Sequence, residues 1–295
     1  MSSILSSTKS FVTRVPLAIK AALENGAENA HWFWARLRSH PVDKISYWPP
    51  FIRTDHWVAF ALIVLAVFFL ADPLARSLTT SLPLASLHLF GVITKFGGSS
   101  WYIVPTGATL LVLTIFDWDD VSRKVKPTLL TVMWQVCAIL IAFAGSGIAV
   151  NLIKRMIGRA RPKHFEEMGS FAFDPFAFSS SFASFPSGHA TTMGCLIVLV
   201  LIFVRKWRFA LITLAGLIAL SRVVIGSHYP SDILAGLAFG GLSTWFVIIY
   251  FAKRGLGFRF DAECGSIVPR QIRIEPKGDI LVRDFLMALT SPFRK

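Results

Sequence analysis

Three cysteines in 295 residues, Cys137, Cys195 and Cys264, are too few and too scattered to staple a fold. Two lie in apolar runs and one in a polar tail, so they read as ordinary buried or free thiols and not as a disulfide framework. No internal repeat and no low-complexity tract occurs, which excludes solenoids and tail-like linkers. The Cys and His residues show no zinc-type spacing, and there is no aromatic-rich RNA-binding motif. Acid is scarce: 17 Asp and Glu against 30 Lys and Arg, a formal charge of +13. On a soluble chain that excess would suggest nucleic acid. Here 54% of the residues are hydrophobic, with 26 Phe and 9 Trp. That exceeds the roughly 45–50% of an ordinary soluble domain. The excess is gathered in runs, so the charge reads as basic cytoplasmic loops or as attraction to an acidic lipid. The first 20 residues lack the apolar centre of a secretory signal. Their Ser, Thr, Lys9, Arg14 and Lys20 fit a surface amphipathic segment or a mitochondrial-type presequence.

Six apolar stretches can span a bilayer, at about 56–74, 100–117, 127–151, 189–205, 209–226 and 231–252. Each approaches the ~20 residues a spanning helix needs. A weaker stretch at 82–98 carries His88, Lys95 and several glycines. It is expected as an interfacial or re-entrant helix, with a seventh span as the alternative. The expected fold is an all-α integral membrane protein, a six-transmembrane-helix bundle. Its divisions are an amphipathic N-terminal segment (1–55), the membrane domain (56–252) and a small basic cytoplasmic tail (253–295). Short loops set the orientation. Lys44 and Arg53, Arg123, Lys124 and Lys126, Arg205, Lys206 and Arg208, and Lys253 and Arg254 all fall on one side, which is expected to be cytoplasmic.

One loop breaks that bias. "KRMIGRARPK", 154–163, falls on the outer side with five basic residues. A bound anion would compensate for them; head-group contact by a helix end is the other reading. If helical, Lys154 and Arg161 are two turns apart and share a face, while Pro162 disfavours helix at Arg161. An arginine fork and a lysine point charge make a phosphate grip. "PSGH", Pro186–His189, opens the fourth span. Gly188 permits close backbone approach, and the amides of Ser187, Gly188 and His189 form a helix N-terminal anion site. His189 can donate a proton there. "SRVVIGSHYPSD", Ser221–Asp232, joins the last two spans and holds Arg222, His228 and Asp232. Asp232 is expected to bond one imidazole nitrogen of His228, which fixes the tautomer and sharpens the free nitrogen.

Lys-x6-Arg-Pro, Pro-Ser-Gly-His and Ser-Arg-x5-His-x3-Asp follow in that order on one predicted side. With these eleven positions the chain resembles the membrane branch of the type 2 phosphatidic acid phosphatase superfamily. The signature covers 154–232, and the span layout extends the likeness to about 50–252. The resemblance implies a metal-independent phosphatase, without cofactor, that works through a phosphohistidine. In it His228 is the nucleophile, Asp232 orients it, and His189 protonates the leaving oxygen. Lys154, Arg161, Arg222, Ser187 and Gly188 hold the phosphoryl oxygens. The implied partner is a lipid phosphate in a bilayer: phosphatidate, phosphatidylglycerol phosphate, undecaprenyl pyrophosphate or a lipid A phosphate. No nucleic acid is expected. The expected setting is a bacterial inner membrane with the site facing the periplasm.

Two other functions use the same residues. A phosphohistidine can pass its phosphate to a second lipid, making the chain a lipid-pyrophosphate-dependent phosphotransferase. An anion transporter or scaffold would need ionisable residues along its spans, whereas here they gather at one face. A soluble vanadate-dependent haloperoxidase shares the signature but would not carry six spans. Between the first two motifs, residues 164–185 hold seven Phe. They read as an aromatic anchor at the bilayer surface or as a lid beside the acyl entry path. In the tail, "VPRQIRIEPKGD" suggests a small hairpin and "DILVRDFLMALT" a surface helix.

Overall fold

The computed structural model describes residues 2–39, 54–115, 117–119, 121–261 and 266–272. The chain is mostly helical. In order it forms α1 (Ser2–Ser39), α2 (Thr54–Ala66), a π turn (Val67–Ala71), α3 (Asp72–Thr80), α4 (Leu84–Ile93) and a 3-10 turn (Thr94–Gly97). There follow α5 (Ser100–Ile115), α6 (Lys126–Ile157), α7 (Phe165–Met168), α8 (Gly188–Phe203), α9 (Arg208–Val224) and α10 (Pro230–Lys253). Two short strands close the described chain, β1 (Phe258–Asp261) and β2 (Ser266–Pro269).

Helices occupy all six apolar runs. Among the described residues, four stretches are long and apolar enough to cross a bilayer: Thr54–Ala75, Leu84–Ile115, Lys126–Ile157 and Pro230–Lys253. The second is two helices, α4 and α5, parted by the 3-10 turn. α4 has 10 residues. At about 1.5 Å per residue it rises roughly 15 Å, half a hydrocarbon core. α8 is a shorter apolar helix of 16 residues, and α9 has 17 with an arginine at its start and another in its last turn.

The chain divides into two compact units. The first is Met1–Lys44, Pro105–Cys137 and Phe251–Lys295. There Phe33 of α1 stacks on Trp134 at 4.1 Å, and Asn29 Nδ2 donates to Thr114 O at 2.8 Å. β1 and β2 pair antiparallel with Phe258 opposite Pro269, and Phe258 and Ile267 are buried. The second strand reaches the first two residues of the expected 268–279 stretch. Phe258 and Ile267 supply the buried face, and Gln135 Nε2 donates to Gly257 O and Arg270 O at 2.9 and 3.1 Å. Residues 273–279, the "DILVRDFLMALT" segment and the N-terminal side chains before Ile19 lie outside the described residues.

The second unit is Ile45–Val104 and Ala138–Tyr250, and it holds all three motifs. Its core is Ala190, Met193, Ala215, Ile218, Ala219 and Ile233, with Ile93, Tyr102, Leu196 and Leu237 packed around it. Four of the six are small or unbranched residues, so α8, α9 and α10 approach closely. The closest approach is at Gly240 of α10, where a Cβ would stand 1.9 Å from Thr191 O of α8. Only glycine fits there, and the contact holds the start of α8 against the middle of α10. In the first span Pro73 sits at the start of α3. Its ring would strike the carbonyl four residues back; the π turn just before it widens the helix and relieves that clash. Asp72 follows the turn and is fully buried.

Gly240→Val should destabilise the protein by about 1–3 kcal/mol through overpacking. Gly216→Ala should be neutral or slightly stabilising, because nothing lies within 4 Å of a Cβ there. Chemical unfolding of the detergent-solubilised variants reads both; equal stabilities would contradict this packing.

Candidate active site

Lys154 stands in the last turn of α6. Beyond it the chain leaves the helix and is strapped to the Phe-rich segment. Ala160 N donates to Ala172 O (2.9 Å), Arg161 N to Ser181 O (2.9 Å) and Ser184 N to Arg159 O (3.1 Å). Because α6 ends at Ile157, Arg161 does not share a helical face with Lys154; it is extended and precedes Pro162, as Pro162 led us to expect. Phe171, Phe173, Phe176 and Phe178 remain largely exposed, and Arg155 lies over the Phe178 ring.

Ser187 is the N-cap of α8, and its side chain accepts from Ala190 N. Its own amide donates to the backbone O of Asp232 at 3.0 Å. That differs from the expectation of three free amides. The Ser187 N–H ties the start of α8 to the start of α10, and Gly188 and His189 supply the first-turn N–H groups, which no i−4 carbonyl within the helix can accept. Lys154 Nζ sits 3.3 Å from where a Gly188 Cβ would be, so lysine and glycine face each other. His189 packs against Gly97, where a Cβ would meet His189 Cδ2 at 2.7 Å. The 82–98 stretch thus ends against the site.

Arg222 lies in the last turn of α9, and its Nη1 donates to Thr94 Oγ1 at 3.1 Å. Lys154, Arg161 and Arg222 are close enough to feel one another's charge, and His189 feels all three together with His228. The Nε atoms of Arg161 and Arg222 are buried with no hydrogen-bond partner. Each such donor costs free energy until an acceptor arrives. Three converging cations with two unsatisfied donors fit a tetrahedral oxyanion.

His228 is buried. Its Nδ1 lies 2.8 Å from Ser184 O and 3.5 Å from Asp232 Oδ2. The nearer acceptor is therefore the Ser184 carbonyl, which the sequence reading did not foresee. Nδ1–H donating to that carbonyl leaves Nε2 with its lone pair free. Burial pulls the His228 pKa below its usual value, and Arg222 and Arg161 push the same way; the hydrogen bond and charge of Asp232 oppose them. Burial also lowers the Arg161 pKa, again against Asp232. Asp232 is fully buried. Its Oδ2 accepts from Ser184 Oγ (2.6 Å) and Tyr229 N (2.8 Å), and its Oδ1 from Arg159 Nη1 (2.6 Å).

The structure thus brings together every residue expected in the site. It adds Thr94, Ser184, Arg159 and Asp72. Among these Asp72 carried a signal in the sequence as a carboxylate inside an apolar run, and Arg159 as one of the five basic residues of 154–163. Among the described residues no group of three or more His, Cys, Asp or Glu is placed to hold a metal ion.

A buried imidazole, a second histidine and three cations thus lie within reach of one another's charge in the second unit. A family model of the PAP2 superfamily matches residues 135–256, a range that includes all three motifs. Lipid A 1-phosphatase of Rhizobium johnstonii is 34% identical over 222 residues, 74% of this chain and 88% of that protein. Lipid A 1-phosphatase of Rhizobium etli is 37% identical over 182 residues, 60% of this chain and 76% of that one. Phosphatidylglycerophosphatase B of Bacillus subtilis is 30% identical over 137 residues, 43% and 62% of the two chains. Among solved structures, the transmembrane PAP2 type phosphatidylglycerolphosphate phosphatase from Bacillus subtilis is similar. It has 25% identity, 64% of this chain and 92% of that chain covered, and a TM-score of 0.42. The chain belongs to the PAP2 superfamily. It is an integral membrane phosphatase, a hydrolase of phosphoric esters.

Proposed function

We propose that the protein removes a phosphate from a lipid in the outer leaflet of its membrane through a phosphohistidine at His228, without a metal ion. The observation that carries this reading is the pair of orphaned buried donors, Arg161 Nε and Arg222 Nε, on two arginines whose charges both His228 and His189 feel. Nε2 of His228 attacks phosphorus, and the bond from phosphorus to the lipid oxygen breaks. His189 gives its proton to that oxygen. Lys154, Arg161, Arg222 and the amides of Gly188 and His189 neutralise the charge that spreads over the phosphoryl oxygens, the main task in phosphoryl transfer. Ser187 acts by holding those amides in place. A water, deprotonated by His189, then attacks phosphorus and breaks the N–P bond. The products are inorganic phosphate and the dephosphorylated lipid. His228 starts this cycle neutral at pH 7, since its pKa lies below the ordinary value of about 6.5.

Both Rhizobium relatives act on lipid A, so a saccharolipid with an anomeric phosphate is the substrate we place first. A reading with six spans, from the four long stretches plus α8 and α9, puts the motifs at the periplasmic face. The clusters at Arg123–Lys126 and Arg205–Arg208 support it. In a background lacking the three cysteines, Ser179→Cys should react with an impermeant maleimide added to intact cells. Labelling of that residue only after permeabilisation would invert the topology.

Purified protein should release phosphate from lipid A, with EDTA leaving the rate unchanged and orthovanadate inhibiting as a transition-state mimic. His228→Ala should abolish release, and His189→Ala should slow it by about 10²–10⁴-fold, the usual worth of a general acid. Undiminished release by His228→Ala, or loss in EDTA restored by magnesium, would overturn the mechanism. Phosphate released from phosphatidylglycerol phosphate but not from lipid A would move the substrate and leave the chemistry. No free phosphate from any single lipid, with phosphate appearing on an added acceptor lipid, would make the enzyme a phosphotransferase.

A further inference from the structure

Arg159 is the largest fully buried side chain in the described protein, and the phosphate grip does not include it. All its donors are used. Nη1 donates to Asp232 Oδ1 (2.6 Å) and Ser231 Oγ (2.8 Å). Nη2 donates to Asp72 Oδ2 (2.8 Å) and Ser170 O (3.0 Å), and Nε to Ser170 O (3.3 Å). Its faces are covered by Tyr229, with the ring centroid at 4.3 Å, and by Phe68 at 4.6 Å. A guanidinium so enclosed cannot turn towards a substrate. Asp72 is also fully buried. Its Oδ1 accepts from Ser231 N (3.0 Å) and its Oδ2 from Ser231 Oγ. It lies outside the stretch that matches the family.

We propose that Asp72 and Arg159 are positioning residues for the nucleophile: through the shared guanidinium, Asp72 fixes where the Asp232 carboxylate stands and how much of its negative charge is left to face His228. This rests on His228 as the nucleophile. Two carboxylates share one guanidinium, so one unit of negative charge remains, and it lies on the Nδ1 side of His228. As Nε2 bonds to phosphorus the ring gains positive charge, and this anion stabilises it. Without Asp72, the Arg159 cation is balanced by Asp232 alone, and Asp232 is drawn away from His228. Placement on that scale is worth a great deal in rate, since a shift near 1 Å far from the chemistry can cost about 10²-fold.

The charged groups around His228 are Asp232 of α10, Arg222 of α9, Arg161 of the loop after α6 and His189 of α8; Lys154 of α6 faces His189 and Asp232. Asp72→Asn changes none of these, retains the acceptor for Ser231 N and removes one negative charge behind Asp232. It should lower kcat by about 10–10²-fold, leave KM nearly unchanged, weaken orthovanadate inhibition in step with kcat/KM, and move the acid limb of kcat/KM to lower pH. The sign follows from charge: less negative potential at His228 disfavours its protonated form, so the neutral base persists to lower pH.

Arg159→Gln alone would strand two buried carboxylates and is prone to misfold. The double variant Asp72→Asn/Arg159→Gln restores the net charge beside His228. Its acid limb should return towards the wild-type position while kcat stays low. A limb that stays fixed in Asp72→Asn, whatever happens to kcat or to stability, makes the cluster a packing device and overturns the inference. Full kcat in Asp72→Asn overturns it too. Failure of the phosphohistidine reading would show elsewhere, as turnover by His228→Ala.

Discussion

A single buried carboxylate, Asp232, is where the segments of the site meet. Its backbone carbonyl takes the amide of Ser187, which fixes the start of α8. One carboxylate oxygen takes Arg159, from the loop after α6, and the other takes Ser184, from the end of the Phe-rich segment. A buried ion is tolerated only when its lone pairs are filled and a counter-charge is adjacent. Asp232 meets both conditions with partners drawn from three separate stretches. Removing the carboxylate would leave Arg159 balanced by Asp72 alone and would strip Ser184 Oγ and Tyr229 N of their acceptor. The glycine contact between α8 and α10, at Gly240 against Thr191 O, brings the partners near enough for the bonds to form.

On the ligand side the same region carries the opposite kind of electrostatics. Arg159 and Arg161 are two residues apart, yet one is enclosed and fully bonded while the other keeps a buried donor unpaired. The enclosed arginine has an acceptor for every donor. The unpaired one lies within reach of the charges of Arg222 and Lys154. An apolar bundle that keeps three mutually repelling cations half-buried at one end gains most when an anion binds. Such a grip aids catalysis to the extent that it holds the redistributed charge of the transition state better than that of the substrate.

The sequence showed the site through residue types that chemistry cannot replace: the histidines, the lysine and the arginines in the three motifs. Apolar runs showed the helices, because a bilayer demands long stretches without charge. What stayed hidden depended on contacts distant along the chain. Asp72 and Arg159 are 87 positions apart, and Thr94 meets Arg222 across 128. The nearer partner of His228 Nδ1 is a main-chain carbonyl, which no residue type advertises. The engaged amide of Ser187 is of the same kind. In the tail, burial of Phe258 and Ile267 sets where the described strands pair, ahead of the turn residues on which the 268–279 expectation rested.

The central claim is a covalent bond between His228 and phosphorus. Radiolabelled lipid phosphate mixed with excess enzyme, quenched in strong alkali within a turnover, tests it most directly. The account predicts label on the protein that survives alkali, is lost in acid, maps to the peptide containing His228, and accumulates further in His189→Ala. Turnover with no labelled protein at any quench time, or label of the acyl-phosphate kind on a carboxylate, would contradict it.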